Sequence, residues 1–161
     1  MTDASPALQA KVLTVSDGVI AGTRQDTSGA GLVALLIEHG FDVVDHQVVA
    51  DGTENVAQAL LSLTEGFAGL VVSTGGTGFA QRDQTPEGTR AIIEREAPGL
   101  AEAMRLVNPL GRLSRGIVGV RGLSIICNTP GSPKGCVEQL GAILDVLPHA
   151  LRLLADSPTA H

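Results

Sequence analysis

A glycine-rich stretch is the first feature of this sequence that could do chemistry. Thr74–Gly78 (TGGTG) joins three glycines to two hydroxyl side chains, directly after the apolar run Phe67–Ser73. Backbone N–H groups can approach an anion closely in such a loop. The pattern matches neither a Walker A loop nor GxGxxG. It predicts an anion-binding loop in which Gly76→Val would weaken binding and leave the fold intact, although a glycine turn that only packs a strand on a helix has the same composition.

A second candidate for anion binding lies near the end of the chain. Asn128–Lys134 (NTPGSPK) contains a Pro-Gly pair followed by a serine and a second proline. Ser132 at the N-cap and Pro133 at the first helical position predict a helix start, whose free N–H groups attract phosphate. Lys134 would add a positive charge. Capping alone explains the Ser-Pro pair equally well, so both interpretations stay open.

Two aspartates in separate loops could share a divalent ion. Asp51 follows one predicted strand, and Asp83 lies in the loop that follows another. Magnesium prefers such carboxylate oxygens. Either acid could instead cap the helix that begins near it, or be a solvated charge. Asp17 and Asp26 flank the first long loop and are typical turn formers.

The elements that would position these residues alternate along the chain. Hydrophobic periodicity predicts strands at 11–16, 41–50 and 67–73, and a hairpin formed by Gly116–Val120 and Leu123–Cys127. It predicts helices at 28–39, 53–64, 85 to about 96, 98–107 and 134 to about 154. Thr53 and Thr85 are the expected N-caps, and Pro148 should kink or divide the last helix. The pattern predicts an α/β three-layer sandwich with a mainly parallel central sheet and an edge β-hairpin.

The 161 residues suit one domain, predicted at 11–156 after a ragged N-terminus at 1–10. In parallel α/β sheets, ligands lie beyond the carboxyl ends of the strands. The polar or glycine-rich segments at those ends are 16–17, 51–52, 74–83 and 128–134. The sequence therefore predicts that they converge in one cleft.

Composition excludes several classes of partner. The net charge of −6 argues against nucleic acid, and three Phe with no Trp or Tyr exclude an aromatic stacking platform. An anionic ligand would therefore need local cations or a metal ion.

No segment suggests a membrane span or signal peptide, so the expected compartment is the cytoplasm. Cys127 and Cys136 are expected to be reduced and buried, the four histidines form no ligand cluster, and the 43% hydrophobic content suggests a homo-oligomer.

Six motifs in the same order resemble the MoaB/Mog family over about residues 11–154. The motifs are Thr14–Asp17, Thr74–Gly78, Arg82–Glu87, Pro98–Leu100, Leu113–Arg115 and Asn128–Pro133. The same domain type occurs in plant Cnx and animal gephyrin proteins, and is similar to modules of MoeA and CinA proteins.

The resemblance implies a trimeric protein that binds molybdopterin. In Mog-type members it further implies magnesium-dependent transfer of AMP from ATP to molybdopterin, and a MoeA-like molybdenum insertase is the implied partner. Asp51 and Asp83 occupy the positions of the family's catalytic acids and are the implied Mg²⁺ ligands. The implied substrate and nucleotide contacts are Ser16, Asp17, Thr74, Gly75, Gly76, Thr77, Gly78, Asn108, Ser114, Asn128, Pro130, Gly131 and Ser132.

Three positions depart from the family pattern. Asn108 stands where some members have serine, Thr129 replaces a Leu or Met, and Gln81 replaces an often basic or prolyl residue. These departures bear on the exact pterin contacts more than on the reaction class.

Three functions remain open: a molybdopterin adenylyltransferase as the first choice, a non-catalytic molybdopterin-binding or delivery protein if the departures disable turnover, and, more distantly, a trimeric scaffolding module.

Overall fold

The computed structural model describes residues 6–156 as one sheet with helices on both faces. The strands are β1 (Gln9–Val15), β2 (Asp42–Val49), β3 (Gly69–Thr74), β4 (Arg95–Glu96), β5 (Val118–Arg121) and β6 (Ser124–Thr129). The helices are α1 (Asp17–Ile20), α2 (Thr27–Glu38), α3 (Thr53–Thr64), α4 (Thr85–Arg90), α5 (Pro98–Leu106), a 3-10 helix (Pro109–Leu113), α6 (Pro133–Gly141) and α7 (Leu147–Leu154).

The strand order is β2-β1-β3-β6-β5-β4. In this order, β2, β1, β3 and β6 run parallel to one another, and β5 is antiparallel to both of its neighbours, β6 and β4. This confirms the mainly parallel sheet and the hairpin, which is β5–β6. The two-residue β4 lies outside the hairpin at the edge of the sheet. Because β3 and β6 pair with Ser73 opposite Asn128, the loops that follow these two strands begin side by side.

Alternating side chains bury both faces of the sheet. In β1, Ala10 and Val12 pack on one face, whereas Leu13 and Val15 pack on the other. Helices α2, α5, α6 and α7 cover the first face, and α3 covers the second together with Ile92 beyond α4. The predicted three-layer sandwich is confirmed. Burial of each large aliphatic side chain contributes roughly 1.5–3 kcal/mol, so these two clusters hold the layers together.

The helix expected at 85–96 is shorter than predicted. It ends at Arg90, and the Glu94 N–H donates to the Val120 carbonyl while the Ala97 N–H donates to that of Val118. Pairing with the sheet edge thus replaces the last helical turns and forms β4. The predicted division of the last helix is confirmed, because α6 ends at Gly141 and Pro148 lies in the first turn of α7.

Other boundaries differ in detail. The loop predicted at 17–27 contains α1, whose first turn is capped by the Ser16 hydroxyl accepting from the Val19 N–H. Strand β1 begins two residues earlier than expected, at Gln9. Residues 1–5 of the predicted ragged N-terminus lie outside the described residues, as do residues 157–161. Within residues 6–156, no helix combines the length and hydrophobicity needed to cross a membrane.

The expected N-caps of α3 and α4 are wrong by one residue. Gly52 and Gln84 precede the two helices, and neither helix has a side-chain cap. The Thr53 N–H and hydroxyl both donate to Oε1 of Gln84 at 3.0 Å. The helix starts are therefore tied to each other, which holds the loops containing Asp51 and Asp83 together.

Candidate active site

A cleft of about 1030 Å³ opens beyond the carboxyl ends of the parallel strands. It brings together the loops that the sequence predicted to converge. Every predicted site residue except Asn128 lines it: Ser16, Asp17, Asp51, Thr74, Gly75, Gly76, Thr77, Gly78, Asp83, Asn108, Ser114, Pro130, Gly131 and Ser132.

The glycine loop, Thr74–Gly78, is crowded as well as glycine-rich. Gly75 and Gly76 have positive φ angles of 100° and 69°, which side chains rarely tolerate. A Cβ at Gly75 would collide with the Val15 carbonyl oxygen, and one at Gly76 with the Thr85 hydroxyl. The backbone itself requires glycine here. The expectation that Gly76→Val leaves the fold intact is therefore wrong, because that side chain would strain the loop before any ligand arrives.

Hydrogen bonds join the glycine loop to the turn beside it, Asn128–Lys134, which we call the Pro-Gly turn. The Gly75 N–H donates to the Thr129 carbonyl at 3.1 Å, and the Thr74 hydroxyl donates to the Pro130 carbonyl at 2.8 Å. The Thr85 hydroxyl donates to the Gly75 carbonyl at 2.9 Å. Hydrogen bonds to α4 and to the Pro-Gly turn therefore hold the glycine loop in place.

Asp51 and Asp17 both line the cleft and are joined by two hydrogen bonds. The Asp17 N–H donates to Oδ2 of Asp51 at 3.1 Å, and the Asp51 N–H donates to Oδ1 of Asp17 at 3.0 Å. The carboxylate of Asp51 does not cap α3, which has no side-chain cap. The capping alternative for Asp51 is therefore wrong, and its carboxylate is held at the cleft by the first turn of α1.

Burial raises the pKa of Asp51 above its ordinary value of 3.8, and the negative charges of Asp17 and Asp83 raise it further. The hydrogen bond from the Asp17 N–H and the positive charge of Arg82 act in the opposite direction. A carboxylate that is both desolvated and crowded by like charges is stabilised by a cation. The negative charges around the Asp51 carboxylate therefore favour a bound positive ion.

Asp83 also lies beside the glycine loop, next to Gly78. Its Oδ2 accepts from the Ala80 N–H at 3.1 Å, and α4 has no side-chain cap, so the helix-capping alternative is wrong here too. A Cβ built on Gly78 would lie 2.9 Å from Oδ2 of Asp83, and one built on Gly76 would lie 3.3 Å from Oδ1 of Asp51. The two carboxylates therefore flank the glycine loop.

The donor set fits magnesium bound together with a phosphate. Within residues 6–156, no three His, Cys, Asp or Glu side chains are grouped to hold a metal by themselves. Magnesium commonly uses one or two protein carboxylates and completes its octahedron with water and substrate phosphates. Asp51 and Asp83 supply that number of carboxylates.

The Pro-Gly turn starts α6 as predicted. Ser132 is the N-cap, and its hydroxyl accepts from the Gly135 N–H at 3.1 Å. A Cβ at Gly131 would meet only the Cα of Gly75 at 3.4 Å, an ordinary contact. The Lys134 side chain is 83% exposed and lies 3.7 Å from Glu138. This side of the cleft is more open than the glycine loop.

Asn128 does not line the cleft, and its role as a ligand contact is not supported. The residue is 1% exposed. Its Oδ1 accepts from the Ile117 N–H, and its Nδ2 donates to the hydroxyls of Ser73 and Thr89. Thr129 is equally buried and donates to the Ser73 carbonyl. Both side chains are buried inside the protein, where their hydrogen bonds stabilise the ends of β3 and β6.

Asn108 and Ser114 line the cleft and also shape their own segment. Asn108 caps the 3-10 helix by accepting from the Leu110 N–H, and its Nδ2 contacts Oε2 of Glu138 at 3.3 Å. The Ser114 hydroxyl accepts from the Gly116 N–H at 3.2 Å. These positions have a structural role beside any contact with a ligand.

Several polar residues that line the cleft are not among the predicted site residues. They are Thr23, Arg24, Gln25, Thr27, Ser28, Arg82, Glu138 and Gln139. Asp26, a predicted turn former, instead caps α2 by accepting from the Gly29 N–H at 3.0 Å. Recognising that cap would have placed the first turn of α2 at the cleft. Cys127 and Cys136 are free and buried as expected, and burial raises their pKa values to about 12 and about 11.

The fold and the cleft define a class of protein: an α/β domain with a polar, glycine-rich cleft at the carboxyl edge of a parallel sheet. The particular family follows from comparison with known sequences. The family model described as "Probable molybdopterin binding domain" matches residues 11–149. The chain belongs to this family, and the MoaB/Mog resemblance is confirmed.

Relatives of known name agree with this assignment. A molybdopterin adenylyltransferase of Helicobacter pylori (strain J99) is 35% identical over 89% of this chain and 85% of its own length. The same-named protein of Escherichia coli (strain K12) is 33% identical over 86% of this chain and 74% of its own length. Gephyrin of Dictyostelium discoideum is 35% identical, but this chain covers only 22% of it.

Solved structures agree with the fold. MoaB, a molybdopterin biosynthesis enzyme from Thermus thermophilus, superposes with a TM-score of 0.87 at 45% identity, over 94% of this chain and 98% of that one. The molybdopterin biosynthesis Mog protein of Mycobacterium ulcerans gives 0.87 at 36% identity, over 95% and 100% of the two chains.

Proposed function

We propose that this protein is a molybdopterin adenylyltransferase, which transfers AMP from ATP to the phosphate of molybdopterin and releases pyrophosphate. Relatives that match most of the chain carry this name. The observation that carries the proposal is the glycine loop flanked by Asp51 and Asp83. Such a loop offers backbone donors to phosphates, and the acids can hold a metal ion on them.

The size and lining of the cleft suit two anionic substrates. A volume of about 1030 Å³ is at the upper end of ordinary ligand pockets, which are roughly 300–1,000 Å³. The N-terminal turn of α6 and the Lys134 side chain lie on one side, and Arg82 and Arg24 contribute positive charge to the lining. These groups offset the repulsion expected in a protein of net charge −6.

In the proposed reaction, an oxygen of the pterin phosphate attacks the α-phosphorus of ATP in line. A new P–O bond forms as the bond to the bridging oxygen breaks, and the electron pair leaves with pyrophosphate. No protein nucleophile is needed, so the protein acts by positioning and by charge neutralisation. When bound, Mg²⁺ supplies neutralisation of the phosphate charge. The glycine loop orients the phosphates, while Asp51 and Asp83 are the carboxylates that would hold the ion.

Incubation with molybdopterin, ATP and MgCl₂ tests the proposal. We expect pyrophosphate and adenylylated pterin in equal amounts, with neither product when ATP or the pterin is omitted. Tight pterin binding without pyrophosphate would overturn the adenylyltransferase and identify a binding or delivery protein instead.

We also propose that the protein is a homotrimer. The segment around the 3-10 helix exposes large apolar side chains, namely Leu106 (84%), Leu110 (73%) and Leu113 (55%). Clustered apolar exposure of this kind is typical of an association surface. Sedimentation at micromolar concentration should give three times the 16.5 kDa chain mass, and a monomer would contradict the proposal.

The adenylylated product needs an enzyme that consumes it. We propose a MoeA-like molybdenum insertase as that partner, with both proteins in the cytoplasm. Addition of such an insertase with molybdate should release AMP from the product, and a product that stays intact would contradict the partnership.

A further inference from the structure

Arg115 lies behind the cleft and contacts two of the segments that form it. Its Nε donates to the Gly78 carbonyl at 2.8 Å, and its Nη2 donates to the Asp83 carbonyl at 2.6 Å. Its backbone N–H also donates to the Thr77 carbonyl at 2.8 Å. One residue therefore connects the glycine loop with the segment that contains Asp83.

A third contact fixes the orientation of the guanidinium group. Nη1 of Arg115 donates to Oε1 of Glu87 in α4 at 2.6 Å. This hydrogen bond lowers the pKa of Glu87 below its ordinary value of 4.5, so both groups are charged at neutral pH. A guanidinium is a rigid planar fork, and here its three nitrogens have partners on three different segments.

We propose that Arg115 is a positioning residue that fixes the distance between the glycine loop and Asp83. Arg115 does not line the cleft, so it acts through these two groups and not on a substrate. This inference rests on the proposed adenylyl transfer, in which the phosphates lie on the glycine loop and the metal on the acids. A displacement of about 1 Å between such groups can lower turnover about 10²-fold.

Arg115→Lys tests this role because lysine keeps the charge but cannot serve three partners in one plane. Arg121→Lys is the matched control. The Arg121 guanidinium also donates to a backbone carbonyl, that of Ile92 at 2.8 Å, at the opposite end of the hairpin. We expect kcat to fall about 10²-fold in Arg115→Lys with the KM for the pterin within about twofold. We expect kcat to be unchanged in Arg121→Lys.

Hydrogen exchange of residues 76–83 gives a second readout that needs no turnover. We expect faster exchange in this segment for Arg115→Lys than for either the wild type or Arg121→Lys. In Arg115→Ala, millimolar guanidinium should restore part of the lost turnover, which a general loss of stability would not allow.

The outcomes separate the two proposals. A wild-type protein that yields no pyrophosphate refutes adenylyl transfer, and exchange together with pterin affinity then decides whether Arg115 orders the cleft. Unchanged exchange in Arg115→Lys overturns the positioning role, and so does an active wild type whose kcat survives that substitution. Equal losses of kcat in Arg115→Lys and Arg121→Lys would also overturn it.

Discussion

The glycine loop and the Pro-Gly turn follow neighbouring strands in register, yet they are built differently. In the glycine loop, Gly76 has a positive φ angle and lies against the Thr85 hydroxyl. In the Pro-Gly turn, Gly131 has ordinary space around it and Ser132 caps the helix that follows. Distant side chains determine the first conformation, whereas neighbours in sequence determine the second.

The difference predicts where a substitution will have its effect. A change in the glycine loop should disturb both the fold and the proposed chemistry, because the loop packs against α4 and lies beside Asp51 and Asp83. A change in the Pro-Gly turn should stay local, because a cap and a proline maintain it.

Gly76→Ala should give the largest loss of stability. Its Cβ adds a steric collision to an unfavourable φ angle, and overpacking costs typically 1–3 kcal/mol in addition to the backbone strain of about 1–2 kcal/mol. Gly122→Ala is the matched control, because Gly122 has a positive φ angle of 56° with no atom within 4 Å of a built Cβ. Denaturant unfolding should show a free energy of unfolding lower by about 2 kcal/mol or more for Gly76→Ala than for the control. Equal losses would mean that crowding does not distinguish the loop.

Asp51→Asn should give the largest kinetic effect with little change in stability. Asparagine keeps the volume and can still accept from the Asp17 N–H, but it lacks the charge that would hold Mg²⁺ on the phosphates. We expect turnover to fall about 10²–10³-fold, as for the loss of one electrostatic contact to a transition state, while pterin binding persists. Asp83→Asn should behave in the same way. Steady-state rates over a magnesium titration, with pterin affinity by calorimetry, measure both effects, and unchanged turnover in Asp51→Asn would reject its metal-binding role.

The pH dependence of magnesium binding should report the raised pKa of Asp51. Protons compete with the ion for the carboxylate, so the apparent affinity for Mg²⁺ should fall as the pH falls through that pKa, which lies above 3.8. The loss should approach tenfold per pH unit below it. Without the ion, the pH dependence of stability has the opposite sign. A carboxyl whose pKa is raised in the folded state stabilises the protein below its unfolded pKa, and this contribution is lost as the pH rises through the folded pKa. Thermal shifts with and without MgCl₂ should show both trends in the wild type, and both should be weaker in Asp51→Asn.

The sequence predicts most of the fold because period and turn signals are local. Alternating strands and helices, the convergence of their loops and the Ser132 cap were all available from neighbouring residues. The early end of α4 was not, because it depends on the Glu94 and Ala97 N–H groups pairing with β5, more than twenty residues away. The shift from Thr53 to Gly52 at the start of α3 likewise depends on Gln84 in another loop.

Site prediction fails where direction matters more than residue type. Asn128 belongs to a motif that resembles a binding turn, but it is the fifth residue of buried strand β6 and its side chain lies among Ser73 and Thr89. The crowding of Gly76 could not be inferred either, because the Thr85 hydroxyl that occupies its Cβ position arrives from α4. The loops that carry a site can thus be found from sequence, whereas the side chains that face it depend on packing.

Ser132→Ala should have the smallest effect, and it tests the other half of the comparison. If the Pro-Gly turn is a capped helix start, loss of the hydroxyl that accepts from the Gly135 N–H should lower the free energy of unfolding by about 1 kcal/mol. Ser132→Asp should retain that stability, since aspartate caps as well as serine. The KM values in Ser132→Ala should stay within about twofold, because backbone N–H groups at the start of α6 would still bind the phosphate. A tenfold rise in KM with unchanged stability would show instead that the Ser132 hydroxyl contacts a substrate, and the Pro-Gly turn would then be as specialised for binding as the glycine loop.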